Sequence, residues 1–249
     1  MYDGSKYVGW QRQKNGLSIQ EVLEEVLSLQ RGESISAYAA GRTDSGVHAL
    51  GMVVHVDTSE EISMPKDFIH KANSHLPPDI AITALRKVIP NAHVRYDAFE
   101  RAYQYRVSLF KNPFERNRSW ILSAKLDVKK MIEASTLFQG AHDFSAFCSA
   151  RSETENKICH LTKLIITEQK GYIIFEIRAD RFLMNMVRNI VGTLIEIGKG
   201  KRALEDVTAI LASRDRTKCG IKAPAEGLYF LEALYPAHIF EDSTWYECF

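Results

Sequence analysis

The sequence has few cysteines, no long apolar run and almost no net charge. Only four of the 249 residues are cysteine, they are widely spaced, and none forms a Cys-x-x-Cys pair. A disulfide framework or a zinc ribbon needs closer spacing, so neither is indicated, and reduced thiols are the simpler interpretation. The amino terminus also lacks the basic segment and apolar core of a signal peptide. We therefore expect a soluble, cytoplasmic protein that is not inserted in a membrane.

The motifs of common metal and cofactor sites are missing as well. The chain contains no phosphate-binding glycine loop, no dinucleotide fingerprint and no Gly-x-Ser-x-Gly motif. His48, His142 and His160 do not have the spacing of a metal site, and Cys148 with Cys159 does not complete one. The sequence therefore implies neither a metal nor an organic cofactor.

The net charge is only +1, whereas nucleic-acid-binding domains usually carry a basic excess. The distribution of charge is more informative than the sum. Lysine and arginine concentrate in segments that we predict as loops, and many acidic residues lie in predicted helices. Two interpretations stay open, a basic groove on a nearly neutral protein or an ordinary surface of mixed charge.

What the sequence does contain is enough apolar residues, 45%, for a full core in one large domain or two packed halves. Ser18 and Glu21 form a capping box, which predicts the start of the first helix. Apolar periodicity predicts strands at 35–40, 51–57, 80–88, 103–109 and 226–234, a hairpin of 161–167 and 172–179, and helices at 65–75, 128–138, 183–196 and 204–211. Two passes of strands and helices without a flexible linker predict an α+β fold, with two halves around a cleft.

One loop combines a carboxylate, a guanidinium and two turn glycines. Residues 41–49 read Gly-Arg-Thr-Asp-Ser-Gly-Val-His-Ala and lie between two predicted strands, so Asp44 and Arg42 have rigid support on both sides. A carboxylate that is ionised at neutral pH is a ready nucleophile. The alternative is that Asp44 accepts hydrogen bonds from amides of its own turn, a common use of aspartate in loops.

Three further residues have both a structural and a functional interpretation. Arg188 interrupts an apolar predicted helix, so it either pairs with an acid or extends to solvent as a snorkelling side chain. Tyr103 lies in a predicted strand, where an aromatic ring normally belongs to the core. Leu228 lies in the closing strand and is a core residue by default.

The loop at 41–49 resembles the signature loop of the tRNA pseudouridine synthase A family. Further segments are similar to motifs of that family in the same order, namely residues 2–13, 18–21, 101–105, 182–192 and 225–229. The resemblance implies the pseudouridine synthase fold, which is α+β with two α/β halves and mainly antiparallel sheets flanking a central active-site cleft. The expected parts are an N-terminal half at 1–100 with the nucleophile loop, a C-terminal half at 101–236 with the tyrosine strand and arginine helix, and a tail at 237–249.

The resemblance also implies an activity, the conversion of uridine to pseudouridine in the anticodon stem-loop of tRNA without a cofactor. By resemblance Asp44 is the nucleophile, Arg188 pairs with it and orients it, and Tyr103 faces the target uracil. Leu228 packs on the other side of the base, and Arg42 contacts phosphate or base, or fills the space that a flipped uridine leaves. The expected assembly is a homodimer, and the expected RNA-binding residues are Lys6, Trp10, Gln11 and Arg12.

Two other functions are compatible with parts of the pattern. One is a catalytically silent RNA-binding protein, although the presence of both Asp44 and Arg188 argues against it. The other is a carboxylate-dependent hydrolase of a glycosidic bond, which usually needs a second carboxylate that this sequence does not nominate.

Both ends of the chain raise an expectation of their own. Members of the family usually carry a β-strand ahead of the segment that starts at Tyr2, and here only Met1 precedes it. We therefore expect the first half to lack the support of that strand unless another segment replaces it. The sequence assigns no role to the aromatic residues of the tail, which are Phe240, Trp245, Tyr246 and Phe249.

Overall fold

The structure is a computed structural model that describes residues 1–241 and 246–247. Within them the α-helices are α1 (Ile19–Arg31), α2 (Pro65–His75), α3 (Val128–Thr136), α4 (Met186–Gly198) and α5 (Asp206–Ser213). The strands are β1 (Ala37–Ala39), β2 (His48–Ala49), β3 (Val54–Val56), β4 (Ala84–Leu85), β5 (Glu100–Ser108), β6 (Trp120–Ile121), β7 (Gly140–Asp143), β8 (Ile158–Gln169), β9 (Tyr172–Ala179), β10 (Leu228–Leu234) and β11 (Tyr246–Glu247). None of the helices in this part of the chain has the length and hydropathy that crossing a membrane requires.

The first helix begins where the capping signal predicts. Ser18 Oγ accepts a hydrogen bond from the backbone N–H of Glu21 at 3.2 Å, which satisfies one of the unpaired donors of the first turn. The helix ends at Gly32, whose φ of +68° is the left-handed conformation of a helix C-cap. The apolar face is buried, as the helical spacing predicts, through Ile19, Leu23 and Leu27.

Several predicted elements differ from the structure in their bounds, and three of them have an identifiable local cause. The predicted strand at 80–88 shrinks to β4, because the side chain of Asn73 exchanges two hydrogen bonds of 2.8 Å with the backbone of Ile82 and takes the place of a neighbouring strand. Helix α4 begins three residues later than predicted, since Asn185 has a left-handed φ of +63°. Strand β10 begins at Leu228 because residues 225–227 form a 3₁₀ turn.

The chain forms two compact units. The first comprises Met1–Phe99 and the chain from Phe230 onward, and the second comprises Glu100–Tyr229. Residues 230–236, which the sequence assigned to the second half, therefore belong with the first unit. The backbone explains this, because Leu50 N donates to Phe230 O at 2.8 Å and Phe99 N donates to Leu234 O at 3.0 Å.

In the first unit, short antiparallel strand pairs surround α1 and α2. Strands β1 and β3 pair with each other, and β4 pairs with β11 of the tail. Phe240, also in the tail, lies under the guanidinium of Arg86 at 3.8 Å, whereas Trp245 and Phe249 lie outside the described residues. At the other end, Tyr2 pairs with Ala49 through two backbone hydrogen bonds of 2.8 and 3.0 Å, so this residue supplies a backbone partner for β2.

In the second unit a sheet packs against a buried helix. The strand order is β6-β5-β9-β8-β7, antiparallel except for the β5–β6 pair, which confirms the mainly antiparallel expectation. The predicted hairpin is confirmed, with Lys170 and Gly171 at positive φ in the two-residue turn between β8 and β9. Helix α3 packs on both β8 and α4. All residues of α4 except Glu196 are buried, as expected for a helix inside a core.

The opening segment of the chain packs directly on residues 41–47. Trp10 N donates to Thr43 O at 3.1 Å, and Gly46 N donates to Tyr7 O at 3.4 Å, so the two stretches share backbone hydrogen bonds. Gly9 lies between these contacts at a φ of +108°, and a Cβ at this position would collide with the carbonyl oxygen of Thr43. Only glycine meets both conditions, so Gly9 is required for this close approach.

We expect Gly9→Ala to lower the free energy of unfolding far more than Gly32→Ala. Both glycines have positive φ, but a Cβ at Gly32 has no atom within 4 Å, so that substitution adds only backbone strain of about 1 kcal/mol. Gly9→Ala adds a backbone collision, which we expect to cost about 1 to 3 kcal/mol more. Urea denaturation of the two variants measures the difference. Equal losses would show that the packing of the opening segment contributes little to stability.

Candidate active site

The loop that carries Asp44 is held from both sides by backbone hydrogen bonds. Asp44 pairs with Gly9 in an isolated antiparallel bridge, and Val47 N donates to Asp44 O at 3.1 Å to close the turn. Ser45 Oγ donates to Tyr7 O at 3.2 Å, which ties the tip of the turn to the opening segment. The backbone of the loop is therefore fixed to the neighbouring segment at several points.

Side-chain burial in this loop separates a supporting residue from two accessible ones. Thr43 is buried, and its hydroxyl lies 2.8 Å from that of Tyr2 in a hydrogen bond. On either side of it, Arg42 is exposed and Asp44 is half-buried. Asp44 and Arg42 are thus accessible to a ligand, while Thr43 anchors the backbone between them.

The predicted RNA-binding residues of the opening segment differ in exposure. Trp10 is only 3% exposed and packs near the ring of Tyr2, so the expectation that its side chain contacts RNA is wrong for this conformation. Gln11 and Arg12 are exposed, and Lys6 projects from the surface. The expectation for Trp10 came from the resemblance of the opening segment to the family motif, and a motif does not show which side chains turn inward.

The charged residues of this segment form surface ion pairs. Arg12 lies 3.2 Å from Glu24 and 3.9 Å from Glu21, and the Nζ of Lys6 lies 3.2 Å from Asp79. Exposed pairs of this kind typically contribute no more than about 1 kcal/mol. They therefore fix these side chains only weakly.

In the second unit the guanidinium of Arg188 is buried within α4. The residue is 9% exposed, so the snorkelling interpretation is wrong. Its Nε donates to Ala223 O at 2.7 Å and one terminal nitrogen donates to Asn185 Oδ1 at 3.3 Å. Both acceptors are neutral, so they set the direction of the guanidinium without neutralising its charge.

A short stretch at 220–223 lies along α4 and positions the carbonyl that Arg188 uses. Ala223 N donates to Arg188 O at 3.1 Å, and Gly220 N donates to Thr193 Oγ1 at 3.1 Å. Gly192 makes the approach possible, because a Cβ there would collide with the carbonyl oxygen of Ile221. The sequence analysis missed Asn185 and Ala223, and the only available signal was an asparagine just before a helix, which tolerates left-handed φ.

Tyr103 and Tyr105 lie on the same face of β5. The ring of Tyr103 is 9% exposed and meets Phe182 edge-on at a centroid distance of 5.0 Å. Tyr105 OH donates to Pro224 O at 2.7 Å, one residue after the carbonyl that binds Arg188. Burial, together with the charge of Glu226, raises the pKa of Tyr105, which keeps its phenol protonated.

The turn that leads into β10 packs against the ring of Tyr105. Gly227 lies so close to the ring of Tyr105 that a Cβ would come within 2.6 Å of it, and Leu228, the next residue, is buried. Within the second unit the structure therefore brings the 220–228 segment together with both Arg188 and β5. Among the described residues there is no group of three or more His, Cys, Asp or Glu side chains that could hold a metal ion.

Comparison with known proteins connects this geometry to one family. The sequence model of the family described as tRNA pseudouridine synthase matches residues 1–97 and 134–236, which include Asp44, Arg188 and Leu228 but not Tyr103. The tRNA pseudouridine synthase A of Bacteroides thetaiotaomicron is 42% identical over 247 residues, covering 98% of this chain and 91% of that protein.

Relatives from other bacteria match over a similar length. The tRNA pseudouridine synthase A of Halalkalibacterium halodurans is 44% identical over 231 residues, covering 91% of this chain and 87% of that protein. That of Acinetobacter baylyi is 40% identical over 238 residues, covering 94% of this chain and 88% of that protein. The family model matches well over half of the chain and the relatives align along nearly all of it, so the chain belongs to the tRNA pseudouridine synthase family.

Proposed function

We propose that this protein isomerises uridine to pseudouridine in the anticodon stem-loop of tRNA. The observation that carries the proposal is similarity along nearly the whole chain to proteins named tRNA pseudouridine synthase A, combined with a carboxylate on a rigid loop. A silent RNA-binding protein would have no need to retain both Asp44 and a buried Arg188. The direct test is incubation of the purified protein with unmodified tRNA, followed by mapping of pseudouridine in the product.

Asp44 acts as the nucleophile in this proposal. Its carboxylate bonds transiently to the nucleoside and the bond between C1′ and N1 of uracil breaks. The uracil then turns in the site, its C5 forms the new bond to C1′, the aspartate is released and C5 loses its proton while N1 gains one. Substrate and product have the same composition, so the reaction needs no oxidant, reductant or group donor.

Arg188 supplies the positive charge that orients the carboxylate of Asp44. Support comes from its burial, because a buried guanidinium needs a counter-charge.

Tyr103, Leu228 and Arg42 contact the target nucleotide in this proposal. A tyrosine ring and an apolar side chain suit the two faces of a base, and the phenol of Tyr103 assists the proton transfer at C5. Arg42 is exposed beside the nucleophile, where it contacts the RNA or fills the space of the flipped uridine. Lys6, Gln11 and Arg12 contribute further RNA contacts.

The resemblance to the family also supports a homodimer working in the cytoplasm, where the tRNA substrate is found. Sedimentation equilibrium of the free protein measures the assembly. A monomer that is fully active at the same concentration would contradict the homodimer without affecting the assignment of the reaction.

We expect Asp44→Asn to abolish pseudouridine formation and to leave tRNA binding largely intact. The amide keeps the shape of the side chain but is not a nucleophile. Asp57→Asn, which removes a carboxylate from an exposed position of the same unit, is the matched control and keeps full activity. Tritium release from C5-labelled tRNA measures the reaction, and filter binding measures affinity. Activity in Asp44→Asn would rule out the nucleophile assignment.

We expect Arg188→Met to reduce both activity and stability, because it leaves the half-buried carboxylate of Asp44 without its counter-charge. Removing one partner of a buried pair typically costs about 3 to 5 kcal/mol. In a double-mutant cycle, adding Asp44→Asn to Arg188→Met should cause no further loss of stability. If the two losses simply add, Arg188 and Asp44 do not interact and the role assigned to Arg188 is wrong.

Affinity for tRNA should fall steeply as salt increases, because each phosphate contact made by lysine or arginine releases counterions. With about three phosphate contacts, binding weakens about 20-fold between about 50 mM and about 200 mM salt. Filter binding over this range gives the slope. A flat response would contradict binding through a basic surface and would favour the ordinary mixed-charge surface that the sequence left open.

A further inference from the structure

A polar pocket in the second unit adjoins the proposed catalytic arginine. Its volume is about 170 Å³, and it is lined by Ser149, Ala150, Asn185, Asn189, Arg216 and Lys222. Asn185 connects the pocket to the active site, because its side-chain oxygen accepts a hydrogen bond from Arg188 at 3.3 Å. Apart from Ala150, every lining residue carries a polar or charged side chain, so the pocket is built for a polar ligand.

The pocket carries two positive charges and no carboxylate. Arg216 donates to Asn189 Oδ1 at 3.0 Å and to Gly220 O at 3.3 Å, both neutral acceptors. Lys222 is exposed at the pocket. Within residues 1–241 and 246–247, neither cation forms a salt bridge, in contrast to Lys6 and Arg12 in the first unit. Their charge is therefore left for a ligand.

The other lining side chains offer donors rather than acceptors. Asn189 donates to Phe147 O at 2.7 Å, which fixes its amide so that Oδ1 must accept from Arg216. Asn185 uses its oxygen for Arg188, so its NH₂ group remains as a donor.

Ser149 shows the same pattern. Its Oγ already accepts from the backbone N–H of Arg151 at 3.3 Å, which leaves the hydroxyl proton to donate. With an ammonium, a guanidinium, an amide and a hydroxyl all able to donate, the matching ligand is an anion with several acceptor oxygens. A phosphodiester has this chemistry.

The guanidinium of Arg216 and the backbone of Lys222 are held in place before any ligand arrives. Asn189, which orients Arg216, is 0% exposed, so it cannot swing away with the arginine. Lys222 lies in the 220–223 stretch, whose backbone is fixed to α4 on both sides of it by the bonds from Gly220 and Ala223. A site whose charged groups are already positioned loses less conformational entropy on binding.

We propose that this pocket binds one backbone phosphate of the tRNA, on a nucleotide close to the uridine that is isomerised. The proposal rests on the function proposed above and names a part of the protein that positions its substrate. Seating a phosphate here would place the neighbouring nucleotide beside Arg188, since Asn185 touches both the pocket and that arginine. Lys222 and Arg216 are positioning residues in this role.

The test compares Lys222→Met with Lys218→Met. Both lysines are exposed and lie four residues apart, so the two variants lose the same charge, but only Lys222 lines the pocket. Each protein is titrated with anticodon stem-loop RNAs in which one phosphate at a time is replaced by an uncharged methylphosphonate. We expect one linkage whose replacement weakens binding to the wild type about tenfold, the size typical of a charged hydrogen bond.

The proposal is decided by whether the effect of replacing that linkage disappears when Lys222 is substituted. Lys222→Met should bind unmodified RNA about tenfold more weakly and be insensitive to the replacement, whereas Lys218→Met should behave as the wild type. For Lys222→Met, the dependence of RNA affinity on salt concentration should also become weaker, with a slope lower by about one, as expected for the loss of one phosphate contact. Arg216→Lys, which keeps the charge but loses the bonds to Asn189 and Gly220, should raise KM more than it lowers kcat.

The outcomes separate this proposal from the proposed function. If the wild type modifies tRNA but Lys222→Met and Lys218→Met bind alike, or no linkage couples to Lys222, the phosphate pocket is wrong and the enzymatic assignment stands. If the wild type forms no pseudouridine in any tRNA, the proposed function fails first. If Lys222 couples to one linkage in a protein that binds tRNA but does not modify it, the phosphate pocket is supported and the enzymatic assignment is wrong.

Discussion

The burial of one guanidinium constrains much of the second unit. Arg188 lies in a helix that is apolar on nearly all sides, and a charge in that position must have its donors satisfied. The carbonyl of Ala223 meets this need only because the 220–223 stretch lies along α4, and that approach requires glycine at position 192. The same stretch carries Lys222 and leads through Pro224 to Tyr105, so satisfying Arg188 also arranges its surroundings.

In the first unit, the corresponding constraint is the packing of the backbone around Asp44. The Asp44 loop is fixed by hydrogen bonds to the opening segment rather than by a long strand. Gly9 permits the contact, and the buried side chains of Trp10 and Thr43 support it from below. The side chain of Asp44 is half-buried, while its main chain is hydrogen-bonded within the turn and bridged to Gly9.

The charge pattern also becomes interpretable at this level. The net charge of +1 is a sum and does not distinguish two kinds of cationic side chain. Some are neutralised by neighbouring acids, and others have no acidic partner. Lys6 and Arg12 belong to the first kind, and Arg216 and Lys222, within the described residues, belong to the second. An enzyme that acts on RNA needs only a local excess of positive charge where the backbone must be held. A nearly neutral composition is therefore compatible with a phosphate-binding pocket.

The sequence alone determined the features that depend on residues close together in the chain. The cap at Ser18, the two-residue turn at Lys170 and Gly171, and the glycine-bounded loop around Asp44 all follow from local conformational preferences. The tertiary structure alone decided that Trp10 is buried, that residues 230–236 join the first unit, and that Asn73 replaces a strand beside Ile82. It also decided that Arg188 donates to a carbonyl 35 residues away and that Arg216 is held by Asn189. Such partners are selected by packing and by the cost of leaving buried polar groups unpaired, and neither is encoded in the spacing of residues along the chain.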